Sequence, residues 1–238
     1  MNTARKFLVG LLNLFGAWSK RHSRKGLYEY LTSQLASVAS GTLLLNVGAG
    51  GEVSSRIHSI LAAGGIEVQL FSIDIAPTRN PDVVCDVCHV PFPENSFERV
   101  FLMEVLEHVY DPAQALAEIY RVLKPGGVLI FSVPFVFPLH DRPFDYFRFT
   151  KHGIELLLRN YDQVNIVERN NYGETISVLM MRLLMEKSHK AKLLAMTFML
   201  SGAIPLFALL GRLVDSDAIT SGYVGSAKKH EYPMTNGS

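Results

Sequence analysis

The chain of 238 residues is long enough to bury a core without disulfides or metals, and two cysteines are too few for a disulfide framework. A formal net charge of +1 provides no global basic field, so no nucleic-acid partner is predicted. Hydrophobic residues make up 48% of the chain and charged residues only 19%, and the apolar excess lies towards the two ends.

Residues 1–40 are predicted to be an N-terminal segment with an amphipathic helix and a basic run. The helix is predicted in "ARKFLVGLLNLFGAW", and the basic run "SKRHSRK" follows it. Three interpretations stay open: a helix on a membrane surface, a helix packed on the protein's own domain, and a signal peptide, although no convincing cleavage site follows. The apolar face consists of Phe7, Leu8, Leu11, Leu12, Leu14, Phe15 and Trp18.

From residue 42 onward, strand-like apolar runs alternate with helix-like segments. The first half is predicted to contain the strand "TLLLNV", the helix "EVSSRIHSILAAGG", the strand "IEVQLFSID" and the short strand "PDVVCD". The second half adds the strand "RVFLMEV", the helix "DPAQALAEIYRVLKPGG" capped by Asp111, the strand "VLIFSVP", the helix "FTKHGIELLLRN" capped by Thr150, and the strand "QVNIVERN". This alternation predicts an α/β fold with a doubly wound, Rossmann-like, mostly parallel sheet.

Glycines and polar residues follow the strands of this sheet, at the edge where such folds bind ligands. The turn "NVGAGGE" could present backbone N–H groups to a ligand, but Val53 stands where a dinucleotide fingerprint needs glycine. A tight turn without a ligand is the alternative. Asp74 could accept both hydroxyls of a ribose, or it could cap a helix. The features expected at one edge are Gly48, Asp74, Asp86, Glu104 and Pro134.

Four segments in this order resemble the class I methyltransferases that use S-adenosylmethionine. They are "LLLNVGAGG", "FSIDIAP", "CDVCHVPFPENSFERVFLMEVLEHV" and "IYRVLKPGGVLIFSVP", and the resemblance covers residues 42–170. It implies that Asp74 holds the ribose of the cofactor and that Asp86 accepts a hydrogen bond from the adenine amino group. It also implies a final strand that enters the sheet antiparallel. The cofactor-binding residues implied are Asn46, Gly48, Ala49, Gly50, Asp74, Ile75, Asp86, Val87 and Glu104.

Two positions depart from the family's pattern. Asn46 stands where the glycine motif usually opens with an acidic residue, and Glu52 replaces the third glycine of the usual spacing, with Gly51 one place early. An asparagine can still form hydrogen bonds, so we expect weaker cofactor binding rather than none.

The run "CDVCH" at residues 85–89 also matches the attachment pattern of a c-type haem. Haem attachment would require export and an exposed loop, whereas the family resemblance gives the useful role to Asp86. We therefore predict no haem, no metal site, and inert, half-buried thiols at Cys85 and Cys88.

The loop "FSVPFVFPLHDRPFDYFRFT" is expected to face the methyl group of the cofactor. His140 is the candidate general base for a hydroxyl acceptor, with Asp141 as a second choice or as its orienting partner. The alternative is that His140 bonds the backbone of its own loop. Phe135, Tyr146 and Arg148 are predicted to bind substrate, and Arg148 could pair with an acidic sugar or a phosphate.

The segment "LLAMTFMLSGAIPLFALLG", residues 193–211, carries no charge and is close to the length that spans a bilayer. A single span would separate the last strand from its sheet, so we predict a helical hairpin bent near Gly202 and Pro205. It would dip into one leaflet, or cover the substrate or a dimer interface. The domain is thus predicted over 41–238, with an apolar helical insertion at about 174–214 and the final strand at about 219–228.

These features predict an S-adenosylmethionine-dependent methyltransferase that acts on an oxygen of a sugar, a lipid-linked glycan or another membrane-associated small molecule. "HDRPFDYFRFT" resembles versions of the fold found beside polysaccharide-assembly genes. The alternatives are a soluble acceptor with the apolar segment as a lid, and a catalytically silent cofactor-binding scaffold. The expected location is the cytoplasm, at or near the inner face of the cytoplasmic membrane, and the oligomeric state is left open.

Overall fold

The computed structural model describes residues 10, 13–17, 20–214 and 216–231. The chain divides into two compact units. The sheet unit comprises residues 28–135, 140–167 and 223–238, and the helical unit comprises residues 1–27, 136–139 and 168–222. This division cuts across the boundary predicted at residue 40, because the helix Lys25–Ala36 continues from one unit into the other.

The strands form one seven-stranded sheet in the order β3-β2-β1-β4-β5-β7-β6. β1 pairs in parallel with β2 and with β4. β7 is antiparallel to β5, since the N–H of Gly126 donates to the carbonyl of Lys229 and the N–H of Lys229 donates to that of Gly127. The predicted fold class is therefore confirmed. The strands are β1 Leu43–Val47, β2 Gln69–Asp74, β3 Val83–Val84, β4 Phe97–Met103, β5 Leu123–Pro134, β6 Asp162–Glu168 and β7 Gly222–Lys228.

Two helices of the chain's first two thirds begin at a residue whose side chain caps them. The Asp111 carboxylate accepts from the N–H of Gln114 (3.0 Å), and the Thr150 hydroxyl accepts from the N–H of Gly153 (3.0 Å). The helices are α1 Lys25–Ala36, α2 Gly51–Ala63, α3 Pro112–Val122 and α4 Lys151–Leu157, with short 3₁₀ turns at Pro77–Arg79 and Leu106–His108.

The end of α3 differs from the prediction, which carried this helix on to the glycine pair. Leu123 already opens β5. Pro125 cannot continue a helix, and Gly126 has φ +75°. The register between β4 and β5 therefore shifts, with Phe97 opposite Leu123 but Arg99 opposite Val128. Val122, the last residue of α3, is fully buried.

The helical unit contains the predicted apolar insertion. Its helices are α5 Tyr172–Arg182, α6 His189–Leu200 and α7 Ala203–Gly211, with a 3₁₀ turn at Leu183–Met185. Gly202, at φ +72°, forms the break between α6 and α7, and Pro205 lies in the first turn of α7, where proline is tolerated. Their core consists of Val178, Met181, Leu184, Ala195, Met199 and Ile204.

The predicted amphipathic helix lies only partly in the described chain. Residues 13–17 are helical, Phe15 packs against the core of the helical unit, and Leu14 is exposed. The other members of its apolar face, Phe7, Leu8, Leu11, Leu12 and Trp18, lie outside the described residues.

Across the described ranges, no single helix is long and apolar enough to cross a membrane. α6 and α7 meet that criterion only as a pair, bent by 72° at the break between them.

Candidate functional site

The side chain of Asn46 stabilises the turn that follows β1. Its buried side-chain amide donates to Ser54 Oγ (3.1 Å) and to the carbonyl of Gly48 (3.4 Å). Gly48 has φ +92°, and its N–H donates to the carbonyl of Ile73 on β2 (2.8 Å). Asn46 therefore shapes the turn through hydrogen bonds that need no negative charge.

The first turn of α2 is open to a ligand. Its N-cap, Gly50, provides no side-chain hydrogen bond to the first N–H groups of the helix. Ala49 and Gly50 are half-buried. The Glu52 side chain is exposed and accepts from the Tyr28 hydroxyl (3.4 Å). Glu52, which replaces the third glycine of the family's motif, thus points its side chain to solvent and leaves the space at the turn open.

Asp74 ends β2 and has a buried carboxylate of which only one oxygen accepts a hydrogen bond from the described residues. Its Oδ1 accepts from the N–H of Ala76 (2.9 Å). Its Oδ2 is buried and accepts no hydrogen bond from the described residues; the nearest charged group is Nη1 of Arg79, at 3.6 Å. A buried carboxylate oxygen without a donor is costly, so it is poised to accept from a ligand. The next residue, Ile75, is 71% exposed.

Asp86 is exposed after β3 and forms a turn in which its Oδ1 accepts from the N–H of Cys88 (2.9 Å). Val87 is buried in the core of the sheet unit. Both cysteines are free, with Cys85 half-buried and Cys88 buried. Burial and the adjacent Asp86 carboxylate raise the pKa of Cys88 to about 11 and raise that of Cys85, which keeps both thiols protonated and unreactive.

Glu104, directly after β4, has φ +56°, a conformation that non-glycine residues adopt at a cost. Its N–H donates to Ser132 Oγ (3.0 Å), and the Ser132 hydroxyl donates to its Oε1 (3.1 Å). β5 thereby holds Glu104 at the same edge of the sheet.

Next to Glu104 lies a buried group of ionisable side chains that sequence reasoning only partly anticipated. Glu107 is wholly buried, and its Oε1 lies 3.6 Å from Nε2 of His140 and 3.7 Å from Nε2 of His108. The N–H groups of Tyr146 and Phe147 donate to the carbonyl of Glu107, which joins the loop after β5 to the 3₁₀ turn after β4. Burial raises the pKa of Glu107, and the Glu107 carboxylate beside His140 raises the pKa of that imidazole.

The carboxylate that orients His140 is Asp145. Its Oδ2 lies 3.3 Å from Nδ1 of His140 and accepts from the His140 backbone N–H (2.8 Å). Asp141, the partner predicted from sequence, is exposed, and its Oδ2 lies 4.0 Å from Nε2 of His108 instead. The prediction of Asp141 as orienting partner is therefore corrected: the side chain five residues on returns to His140, whereas the adjacent one has φ +45° and turns away.

The three predicted substrate residues have different surroundings. Phe135 packs on Tyr223 (5.6 Å between ring centroids), and Tyr146 is 45% exposed, edge-on to Tyr110. Arg148 donates from both terminal nitrogens to Asp145. Burial alone would raise the pKa of Asp145, but the Arg148 and His140 hydrogen bonds lower it to about 2. Arg148 thus holds Asp145 in place, and a role in substrate binding stays a prediction.

Glu107 and Asp145 were missed because each lies in a motif beside a more conspicuous residue. "LEH" follows the fourth strand and "HDRPFD" contains two aspartates, but only the fold shows which acid meets the histidine.

Residues 45–131 match the model of a family described as a methyltransferase domain. This stretch of the chain is similar to the superfamily of S-adenosylmethionine-dependent methyltransferases. A probable S-adenosylmethionine-dependent methyltransferase of Mycolicibacterium smegmatis is 30% identical over 122 residues, which are 49% of this chain and 45% of that protein. The ubiquinone/menaquinone biosynthesis C-methyltransferase UbiE of Psychromonas ingrahamii is 29% identical over 140 residues, 52% and 55% of the two chains.

The chain thus spans about half the length of the curated relatives it matches. The solved structure of a putative sarcosine dimethylglycine methyltransferase from Galdieria sulphuraria superimposes with a TM-score of 0.59, at 16% identity, over 87% of this chain and 85% of that one. At that identity, the similarity shows the fold alone.

The edge of the sheet fits S-adenosylmethionine, the cofactor named for the Mycolicibacterium relative. The unsatisfied Oδ2 of Asp74 suits a ribose hydroxyl, and the uncapped start of α2 suits the methionine carboxylate. The side chain of Arg79 lies over Gly50, where its Cδ would be 2.5 Å from an added Cβ. Because Arg79 is half exposed, it can swing aside to admit the cofactor.

Proposed function

We propose that this chain transfers a methyl group from S-adenosylmethionine to a membrane-associated acceptor. The observation that carries the proposal is Oδ2 of Asp74, a buried oxygen without a hydrogen bond from the described residues at the edge where this superfamily binds its cofactor. The turn at Gly48 follows β1 and the Asp86 loop follows β3, the strands on either side of β2, which ends at Asp74. Bound there, S-adenosylmethionine would supply an electrophilic methyl carbon.

We further propose that the acceptor is a hydroxyl of a sugar or a lipid-linked glycan. The hydroxyl oxygen forms a bond to the methyl carbon while the carbon–sulfur bond breaks, and the hydroxyl proton must leave. His140, oriented by Asp145 and adjacent to Glu107, is the group that accepts this proton, with the exposed carboxylate of Asp141 as the second candidate. The aromatic ring of Tyr146 would border the acceptor.

C-methylation of a quinone-type ring is a second candidate, favoured by the relatives named as ubiquinone/menaquinone biosynthesis C-methyltransferases. A ring carbon that gains a methyl group must also lose a proton, so the same side chains would serve. Lipid-linked glycans and ubiquinone-type rings both carry long apolar chains in membranes.

We propose that the hairpin of α6 and α7 brings the enzyme to such acceptors by entering one lipid leaflet. Lys187 and Lys190 are exposed at one end of the hairpin and Arg212 is exposed at the other, where they can meet anionic head groups. A lid over a soluble acceptor is the alternative. The exposed apolar residues of the hairpin and its end are Leu193, Leu194, Leu200, Leu206, Leu209, Leu210, Leu213 and Val214.

Methyl transfer is tested with S-adenosylmethionine that carries a labelled methyl group, incubated with membrane lipid extracts. We expect label in an extracted lipid, far less of it with His140→Ala, and mass spectrometry that places the methyl on oxygen. A product methylated at a ring carbon would support the quinone-type candidate instead. Cofactor binding without transfer to any extract or soluble acceptor would favour the silent scaffold.

A further inference from the structure

The group formed by Glu107, His108 and His140 has the composition and spacing of a metal site. One ligand atom from each side chain can be chosen so that all three lie within 4.8 Å of one another. Two of these separations, from Oε1 of Glu107 to the two Nε2 atoms, are 3.6 and 3.7 Å. Ligands on a tetrahedral metal with bonds of about 2.1 Å are about 3.4 Å apart, so a small closure of the group would admit an ion.

Glu107 is buried with its charge only partly compensated. Its side chain is 0% exposed, and neither carboxylate oxygen accepts a hydrogen bond from the part of the chain that is described. A buried carboxyl group keeps its charge only when it is paired with a cation or coordinates a metal. The two imidazoles approach it at ion-pair distance, and a shared cation would complete the charge balance.

Both imidazoles engage their other nitrogen as metal-bound histidines do. Nδ1 of His108 lies 2.8 Å from the carbonyl oxygen of Phe144, which can only accept, so this nitrogen carries the proton. Nδ1 of His140 faces Asp145, and the two terminal nitrogens of Arg148 donate to the two carboxylate oxygens of Asp145. Metal-ligating histidines almost always donate their second N–H to a carbonyl or a carboxylate, which directs the remaining lone pair to the ion.

We propose that Glu107, His108 and His140 bind a divalent transition-metal ion, with Zn²⁺, Mn²⁺ and Fe²⁺ as the candidates. Two imidazoles favour these ions over Mg²⁺ and Ca²⁺, which prefer all-oxygen ligands. Three protein ligands leave at least one position for a water or an acceptor oxygen. The site does not depend on the proposed methyl transfer. Where both hold, His140 would be a ligand, the ion would lower the pKa of a bound acceptor hydroxyl, and the exposed carboxylate of Asp141 would accept the hydroxyl proton.

The test is metal binding by untagged protein of all 238 residues, stripped with a chelator and titrated with Zn²⁺ by calorimetry in the absence of S-adenosylmethionine. Co²⁺ provides a second readout, because its visible absorption reports nitrogen and oxygen coordination. We expect one ion per chain, a higher Tm with the metal, and binding at least about 100-fold weaker in Glu107→Gln, since even outer partners contribute 10–100-fold. His152→Ala, which removes an exposed histidine paired with Glu155, is the matched control and should bind as wild type.

Absence of stoichiometric binding by the folded wild type would overturn the proposal and leave an ion pair at this place. Equal binding by Glu107→Gln would overturn it too, because the ion would then lie elsewhere. If Glu107→Gln fails to fold, His140→Ala, which alters a loop side chain, takes its place. Because cofactor affinity is measured separately on the same preparations, failure of the metal site and failure of methyl transfer are distinguishable.

Discussion

At the scale of single residues, the cofactor turn depends on backbone that a side chain cannot adopt easily. Gly48 has φ +92°, and an added Cβ would lie 2.7 Å from Cγ2 of Val105. Gly51 has φ +84° but open space around it. A substitution by alanine therefore strains the backbone at both positions, but it creates a steric clash only at Gly48.

We expect Gly48→Ala to lower the free energy of unfolding by about 2–5 kcal/mol, since left-handed backbone costs about 1–2 kcal/mol and overpacking about 1–3 kcal/mol. Gly51→Ala is the matched control and should lower the free energy of unfolding only by the cost of the left-handed backbone, about 1–2 kcal/mol. Urea denaturation followed by circular dichroism measures both. Equal losses in the two variants would show that the contact with Val105 does not constrain the turn.

Residue roles were predictable where the main chain fixes the side chain. Asp74 follows a strand directly, so its position at the edge of the sheet needs only the strand to be recognised. Asp145 meets His140 only because Arg148 and the turn of the loop bring it back, and a sequence pattern contains no such information. Glu107 was missed because a glutamate within "LEH" gives no signal of complete burial.

At the scale of elements, the apolar insertion is held together by a close crossing of α5 and α7. An added Cβ at Gly173 would lie 1.8 Å from the carbonyl oxygen of Phe207, and one at Gly211 would lie 2.6 Å from the N of Gly173. The Asn171 side-chain amide donates to the carbonyl of Ala208 (3.4 Å) at the same crossing. Two small residues thus let the helix backbones touch.

We expect Gly173→Ala to cost at least about 2 kcal/mol of unfolding free energy, because the backbones must separate to admit the methyl group. Gly16→Ala serves as the control: no atom of the described residues lies within 4 Å of an added Cβ there, and alanine favours a helix by up to about 1 kcal/mol. Thermal and urea unfolding of both variants give the comparison. A Gly173→Ala protein as stable as wild type would contradict this description of the crossing.

Helices were predicted correctly where the spacing of apolar residues and a capping residue agree. The predictions failed where a run of residues suits a helix and a strand equally. α3 began at its predicted cap, but its end was placed too late because "RVL" suits a helix and a strand equally. α1 was not predicted, although Leu27, Leu31 and Leu35 recur at helical spacing and are all fully buried. The basic run that precedes α1 is equally typical of a segment on a membrane surface, so it gave no signal of a buried helix.

At the scale of the whole molecule, the proposed membrane contact rests on the hairpin of α6 and α7. Leu209 is 57% exposed on α7, and a charge there would be driven into lipid. We expect Leu209→Glu to weaken co-sedimentation with vesicles of phosphatidylethanolamine and phosphatidylglycerol by more than about tenfold, since a charge in the membrane costs about 2.5–3.5 kcal/mol. The matched change is Leu156→Glu, because Leu156 is 64% exposed on α4 of the sheet unit. Retention of vesicle binding by Leu209→Glu would favour the lid.

The central claim, a cofactor site at Asp74, is tested most directly by calorimetric titration with S-adenosylmethionine and its demethylated product. We expect wild type to bind both and Asp74→Ala to bind at least about tenfold more weakly, since a hydrogen bond to a charged acceptor contributes about 1.5–3 kcal/mol. Asp82→Ala, which removes an exposed carboxylate bonded to Ser72, should bind as wild type. No binding by folded wild type, or equal binding by Asp74→Ala, would contradict the account.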